Sequence, residues 1–298
     1  MMKKLLQRLV APLAAILALG SAAAAPAKAV VKPALWAVTD RDTTIYLFGT
    51  IHLLPEKYQW RTARFDQAVE GSRELVVETI IDDKDPSKII SAMTALAFSP
   101  GLPPLAQRVP QAKRAALAAA VARTGLPAVA LDRMETWAAA FLLLGNQFKD
   151  MGLQSGQGVE TVLRANFLGK GKPIGELESN IQQLGYFDTL PETAQRGLLE
   201  GAIDESPGTK KQFSGMLAAW SRGDVPAIAR SFDRDLDASP ALKDALMVRR
   251  NVNWSRWIEQ RLTKPGEIMV AVGAGHLAGN NSVIAMLQKD GYTVRRLQ

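Results

Sequence analysis

Two histidines carry the first chemical signal. The 298-residue chain has only these two, His52 and His276. Each follows a short apolar run and stands three residues after a glycine: Phe48-Gly49-Thr50-Ile51-His52 and Val272-Gly273-Ala274-Gly275-His276. The matched setting argues for one local device used twice. Glycine at a strand exit permits a sharp turn and a close backbone approach. The residues that follow can then hold an imidazole over the strand end. A lone histidine in such a place is read as a satisfied hydrogen-bonding residue; a matched pair points to a site.

Three short apolar runs lead into ionisable side chains. Residues 44–48 precede His52, residues 75–77 precede Glu78, and residues 268–272 precede His276. Sites in open α/β sheets form at the carboxyl ends of strands, so parallel neighbours would bring all three together. Two imidazoles and a carboxylate are a recurrent ligand set for a catalytic divalent metal with an open water position. Zinc, manganese, cobalt or iron would accept them. The same histidines also suit metal-free acid–base work, because imidazole titrates near neutral pH.

Further acids and one base join the candidates. Glu178 ends the extended stretch "KPIGELE" and is a better site residue than Glu176. Glu160 in "GVETVL" is either a site acid or a first-turn acid favouring the helix dipole. Glu74 starts its strand and is expected to be solvated. Leu246, Arg250, Trp254 and Trp257 share one stripe at helical spacing. A guanidinium on an apolar stripe needs an anion. A structural carboxylate, a ligand acid or a developing oxyanion would serve. Asn251 beside it can cap or hydrogen-bond.

The elements around these residues follow from periodicity. Residues 34–38 and 44–48 flank a polar turn and predict a hairpin. Residues 74–80 predict a buried strand, and 61–70 a helix. From about 87 to 263 helical periods dominate, broken at Pro100-Gly101, Gly125-Leu126-Pro127, Pro191, Pro207-Gly208 and Pro240. Predicted helices cover 87–98, 110–124, 135–149, 157–168, 179–187, 191–203, 209–221, 224–237 and 240–263, with an extended piece at 172–178. Strands return at 266–275 and 292–297 around a helix at 280–289. The fold class is therefore α/β. A central mixed, mostly parallel sheet is built from N- and C-terminal strands, with a large helical insertion.

The N-terminus has the anatomy of a secretory signal peptide. Lys3, Lys4 and Arg8 precede an apolar run, and Ala27-Lys28-Ala29 supplies a small-residue cleavage pattern. That run is too short for a membrane span of about 20 residues. Residues 1–29 are thus expected to be removed, by cleavage after Ala29 or Ala25, leaving one domain from 30 to 298 in the periplasm or outside the cell. Losing four basic residues reduces the formal charge from +7 to +3. No basic run with interleaved aromatics exists, which argues against nucleic acid as a partner. With no cysteine, disulfides and thiolate chemistry are excluded. No dinucleotide fingerprint, G-x-S-x-G or H-E-x-x-H occurs.

The ordered set "YLFGTIHLLP", "ELVVET", "GVETVL", "GKPIGELES", "RRNVNW" and "VAVGAGHLAG", closed by "GYTVRRL", resembles the TraB/GumN/TIKI family across residues 34–298. The resemblance implies a wider group that includes erythromycin-esterase-like and ChaN-like proteins. It also implies divalent-metal-dependent peptidase chemistry, with His52, Glu78 and His276 at the matching metal positions. Glu178, Arg250 and Asn251 match further family positions, taken here as catalytic: Glu178 as general base and Arg250 as oxyanion stabiliser. The expected function is an exported metal-dependent hydrolase of a peptide or small molecule. Haem or small-ligand binding and metal-free esterase chemistry are its alternatives.

Overall fold

The hairpin forms because a polar turn separates two runs of β-forming residues. β1 (Leu35–Thr39) and β2 (Thr43–Thr50) pair antiparallel with Trp36 opposite Leu47. The Asp40 side chain accepts from the N–H groups of Asp42 and Thr43 and closes the turn. The computed structural model describes residues 31–298 apart from 83–84, 205–206 and 237–238. The expected signal segment lies outside the described residues, in which no helix is long and apolar enough to cross a membrane.

The strands continue as β3 (Leu54–Pro55), β4 (Glu74–Val77), β5 (Leu153–Gln154), β6 (Ile174–Glu176), β7 (Gly266–Gly273) and β8 (Val294–Arg296). The six-stranded sheet has the order β6-β4-β7-β2-β1-β8, and β3 pairs with β5 apart from it. β6, β4, β7 and β2 are parallel neighbours, while β1 opposes both β2 and β8. The sheet is mixed and mostly parallel. Its C-terminal strand β7 lies between the N-terminal strands β4 and β2.

Both faces are buried, as the apolar strands require. Along β7, Met269 and Ala271 face one core, while Ile268, Val270 and Val272 face the other. The first core includes Phe65 of helix Ala63–Gly71, Leu163 and Phe167 of helix Val159–Gly169, and Trp220 of helix Pro207–Ser221. The second is covered by Trp254, Ile258 and Leu262 of helix Arg249–Leu262 and by Leu287 of helix Val283–Lys289. The rest of the insertion packs on itself, as where helices Thr136–Asp150 and Glu192–Ala202 share an apolar cluster.

The helix expected over 240–263 is interrupted. A π-helical turn, Asp244–Val248, separates helix Pro240–Lys243 from Arg249–Leu262. A π turn shifts the phase of every later side chain. The stripe read from uniform spacing therefore splits. Leu246 packs with Leu190, Ala194 and Leu242, whereas Trp254 faces the sheet. The turn lies just ahead of Arg250, and its Leu246 carbonyl accepts from Arg250 Nη1 at 3.4 Å.

Candidate functional site

Sheet order sets the site. The adjacent parallel strands β6, β4, β7 and β2 lead in turn to Glu178, Glu78, His276 and His52. Pairing continues past the strand ends: Glu178 N–H donates to the Glu78 carbonyl at 2.9 Å. Two carboxylates therefore emerge side by side. Gly273 N–H donates to Glu78 Oε1 at 2.6 Å. A Cβ placed on Gly273 would stand 3.1 Å from Glu78 Oε1, 3.6 Å from His276 Cδ2 and 3.8 Å from His52 Nε2. The glycine keeps open the point on which the three side chains converge. Gly49 serves a different need, because a Cβ there would meet Ala274 Cα at 2.9 Å. One glycine clears space for the site, and the other lets the two histidine-bearing turns pack together.

Arg250 lies among the acids. Its Nη2 donates at 2.5 Å to Glu78 Oε2 and to Glu178 Oε1, and its Nε reaches Glu178 Oε2 at 3.2 Å. Gln183 Nε2 adds donations to Glu78 at 3.3 Å and Glu178 at 3.2 Å. The guanidinium stacks 4.6 Å from the Trp254 ring centroid. The anion that the apolar stripe demanded is thus a pair of structural carboxylates. Burial raises both acids, and the balance differs between them. In Glu78 the charges of Arg250 and the imidazoles, with the Gly273 N–H, outweigh burial and hold it at about 2. In Glu178 burial outweighs Arg250, and its carboxyl lies above the usual range. The pair shares one cation, and the two acids are pushed apart.

Both imidazoles are held by Nδ1. His276 Nδ1 lies 2.6 Å from Asn251 Oδ1, and Asn251 Nδ2 donates to the Asn281 carbonyl at 2.6 Å. That second bond fixes the amide orientation, so Oδ1 accepts and His276 carries its proton on Nδ1. The Nε2 lone pair is left facing Arg250 Nη1 at 3.2 Å. Burial pushes His276 down to about 3, so it is neutral. His52 Nδ1 pairs with Glu160 Oε1 at 2.7 Å, and Glu160 also accepts from the Thr50 hydroxyl. Glu160 is brought there by Val159 N–H donating to the Ile51 carbonyl. Its charge raises His52 to about 9. The His52 side chain is 67% exposed, so solvent screens the pair. An NMR titration of the metal-free chain should show His52 titrating above neutrality and His276 not titrating between pH 5 and 9. Glu160→Gln should return His52 towards its ordinary value of about 6.5.

A cavity of about 460 Å³ opens over this edge. His52, Glu78, Glu160, Gln183 and Arg250 line it, with Phe141, Leu184 and Phe187 on another side. Glu178, Asn251 and His276 are not in that lining; Glu178 stands behind Arg250, His276 touches Arg250 through Nε2, and Asn251 stands behind His276. The general-base duty expected of Glu178 is therefore not supported by its place, which suits a counter-ion. Glu160, left open by the sequence, is a cavity residue. Gln183 was missed. Its available signal was the capping box of Ser179 and Gln182, which starts helix Asn180–Asp188 directly after Glu178.

The donor chemistry suits a divalent ion. Metal-binding histidines almost always give their second ring nitrogen to an outer oxygen, and Glu160 and Asn251 supply those oxygens. Against this, His276 Nε2 and Glu78 Oε1 are 4.0 Å apart, wide for ligands that each bind at about 2.0–2.2 Å. Among the described residues no three histidine or acid side chains are gathered closely enough to hold an ion as they stand. His276 is 6% exposed and offers no open face to a haem.

An α/β fold whose parallel strand ends gather two imidazoles and two carboxylates about one buried guanidinium is the class that these observations define. The chain belongs to the TraB/PrgY/gumN family, whose profile matches residues 34–296 and so spans every site residue. It is similar to "Uncharacterized protein YbaP" of Escherichia coli (strain K12), 23% identical over 256 residues, or 86% of this chain and 92% of that relative. It is also similar to the protein of the same name in Shigella flexneri, 24% identical over 243 residues, or 82% and 87% of the two chains. No solved structure matches.

Proposed function

We propose that the chain is an exported hydrolase of peptide or amide bonds that works with a divalent ion held by His52, Glu78 and His276. One observation carries this reading. Both imidazoles are tied back at Nδ1, and His52 Nε2, Glu78 Oε1 and the His276 ring converge beside Gly273, with His276 Nε2 4.0 Å from Glu78 Oε1 and 3.2 Å from Arg250 Nη1. A bound ion would activate water and polarise the scissile carbonyl. The chain's own residues do the rest. Asn251 and Glu160 orient the two imidazoles. Gly273 N–H and Arg250 hold Glu78 ionised. Arg250 lines the cavity floor and adds positive potential where an oxyanion forms, with Glu178 as its fixed counter-ion. Export is supported by the basic, apolar and A-x-A order of the first 29 residues.

Metal analysis with thermal denaturation tests the reading. Manganese, cobalt or zinc at about 100 times its Kd should stabilise the protein by about 2.7 kcal/mol. His52→Ala should abolish that gain. Absence of the gain in the wild-type chain would overturn metal binding. A metal-free esterase-type mechanism is the second reading. It is favoured by the contact of Arg250 Nη1 with His276 Nε2 and by the raised His52, which would then act as general acid. Hydrolysis that survives a strong chelator yet is lost in His52→Ala would select it.

A further inference from the structure

The cavity has two unlike sides. Its floor is charged and already internally paired, through Glu78, Arg250, His52 and Glu160. Its other side belongs to the helical insertion: Phe141 of helix Thr136–Asp150, and Leu184 and Phe187 of helix Asn180–Asp188. Phe141 and Phe187 meet edge to face at 4.6 Å, with the buried Trp137 ring 5.6 Å behind Phe141. Trp137 is itself held by Asp188 through its indole N–H. The side chains of Phe141, Leu184 and Phe187 offer no hydrogen-bonding group to a ligand, while Thr79, Thr161, Arg164 and Gln183 line the cavity around them. Ile81, 44% exposed, extends this apolar wall at the mouth.

We infer that this wall is a specificity pocket for an aromatic or large aliphatic side chain next to the scissile carbonyl, with Ile81, Phe141, Leu184 and Phe187 as its specificity-determining residues. The inference rests on the hydrolase reading for what is cut, but the pocket's preference can be measured by binding alone. A volume of about 460 Å³ suits a ligand of one or two amino-acid residues. A charged or strongly polar side chain would lose water against the wall, and Arg164, a cation that lines the cavity with it, already gives its Nη1 to the Ile81 carbonyl. A sugar, with hydroxyls on every side, would meet the same penalty. A benzyl or isobutyl group loses little and leaves the adjacent carbonyl over the charged floor.

Ligand-observed NMR titration of the full chain tests this with four blocked residues: the N-acetyl amides of phenylalanine, leucine, alanine and glutamate. The phenylalanine and leucine amides should bind at least about tenfold more tightly than the alanine amide, and the glutamate amide should bind most weakly. Phe187→Ala should remove most of that preference. Because Phe187 also packs against Trp137, Ile81→Ser is the second variant. Its side chain is exposed, so the fold should hold and the preference should fall several-fold. Equal affinities for phenylalanine and alanine, or an Ile81→Ser variant with undiminished preference and unchanged Tm, would overturn the pocket. Parallel cleavage assays separate the two ideas. Hydrolysis without an apolar preference removes the pocket and keeps the hydrolase. An apolar binding preference without hydrolysis of any amide keeps the pocket and removes the hydrolase.

Discussion

Arg250→Ala is expected to cost about 3–5 kcal/mol of folding stability, as when one member of a buried ion pair is removed. The cause is what remains. Glu78 and Glu178 keep their places with side chains only 8% and 4% exposed, and no cation lies between them. The pH dependence should change with the substitution. In the wild-type chain Glu78 is depressed to about 2, against about 4.3 when unfolded. Its contribution is complete above the unfolded value and is lost as pH falls towards 2. Glu178 is raised and acts in the opposite sense, giving up stability as pH climbs through its folded value. Without Arg250, burial raises both acids. Their neutral forms are then the ones tolerated, so the variant's deficit should shrink as pH falls from 7 to about 4.5. Urea unfolding at those two pH values measures it. Glu178→Gln placed on Arg250→Ala should recover part of the loss at pH 7. An undiminished deficit at low pH would mean that Arg250 acts by packing on Trp254, not by charge.

The sheet and the acidic edge were legible because both rest on local rules. The Asp40 turn, the β-branched run at Glu74–Val77 and the apolar run in Gly266–Gly273 each declare a strand, and the residue after each exit is visible. That β7 would lie between β4 and β2 is not a local property. Local reading supplied only the condition that these strands be parallel neighbours; the pairing meets that condition and adds the order. The glycine three residues before each histidine was visible, but its two different reasons were not. The clash with Ala274 and the space shared by Glu78 and His52 are contacts across strands distant in the chain. The π turn at Asp244–Val248 was hidden because nothing in its composition breaks a helix, and it showed only in which core Leu246 joins. Glu160 stayed undecided because one first-turn acid looks alike whether it faces solvent or an imidazole. The Val159–Ile51 hydrogen bond decides it, by bringing a loop and a helix together.

His276→Ala should lower kcat/KM on any cleaved amide by about 10³-fold, more than any change behind it, because it removes the nitrogen that would hold the ion activating the water. Asn251→Leu should cost about 10–100-fold, the range for a partner that orients a ligand from behind. The ranking follows from the geometry. His276 Nε2 lies beside Glu78 Oε1 and presents the lone pair; Asn251 touches only Nδ1. In Asn251→Leu the Asn281 carbonyl loses its donor and His276 loses the acceptor that fixes its tautomer. The proton can then move to Nε2 and remove the lone pair for part of the time. Asn251 is fully buried, so Tm must be measured alongside. Asn251→Asp separates the two effects. It keeps an oxygen acceptor on Nδ1 and should restore activity above that of the leucine variant even if Tm falls further. It should also raise the pH at which His276 titrates, visible by NMR. Equal losses for His276→Ala and Asn251→Leu, with folding intact, would show that the orientation of the imidazole contributes as much as its presence. Full activity in His276→Ala would remove the strand-end cluster from the chemistry altogether.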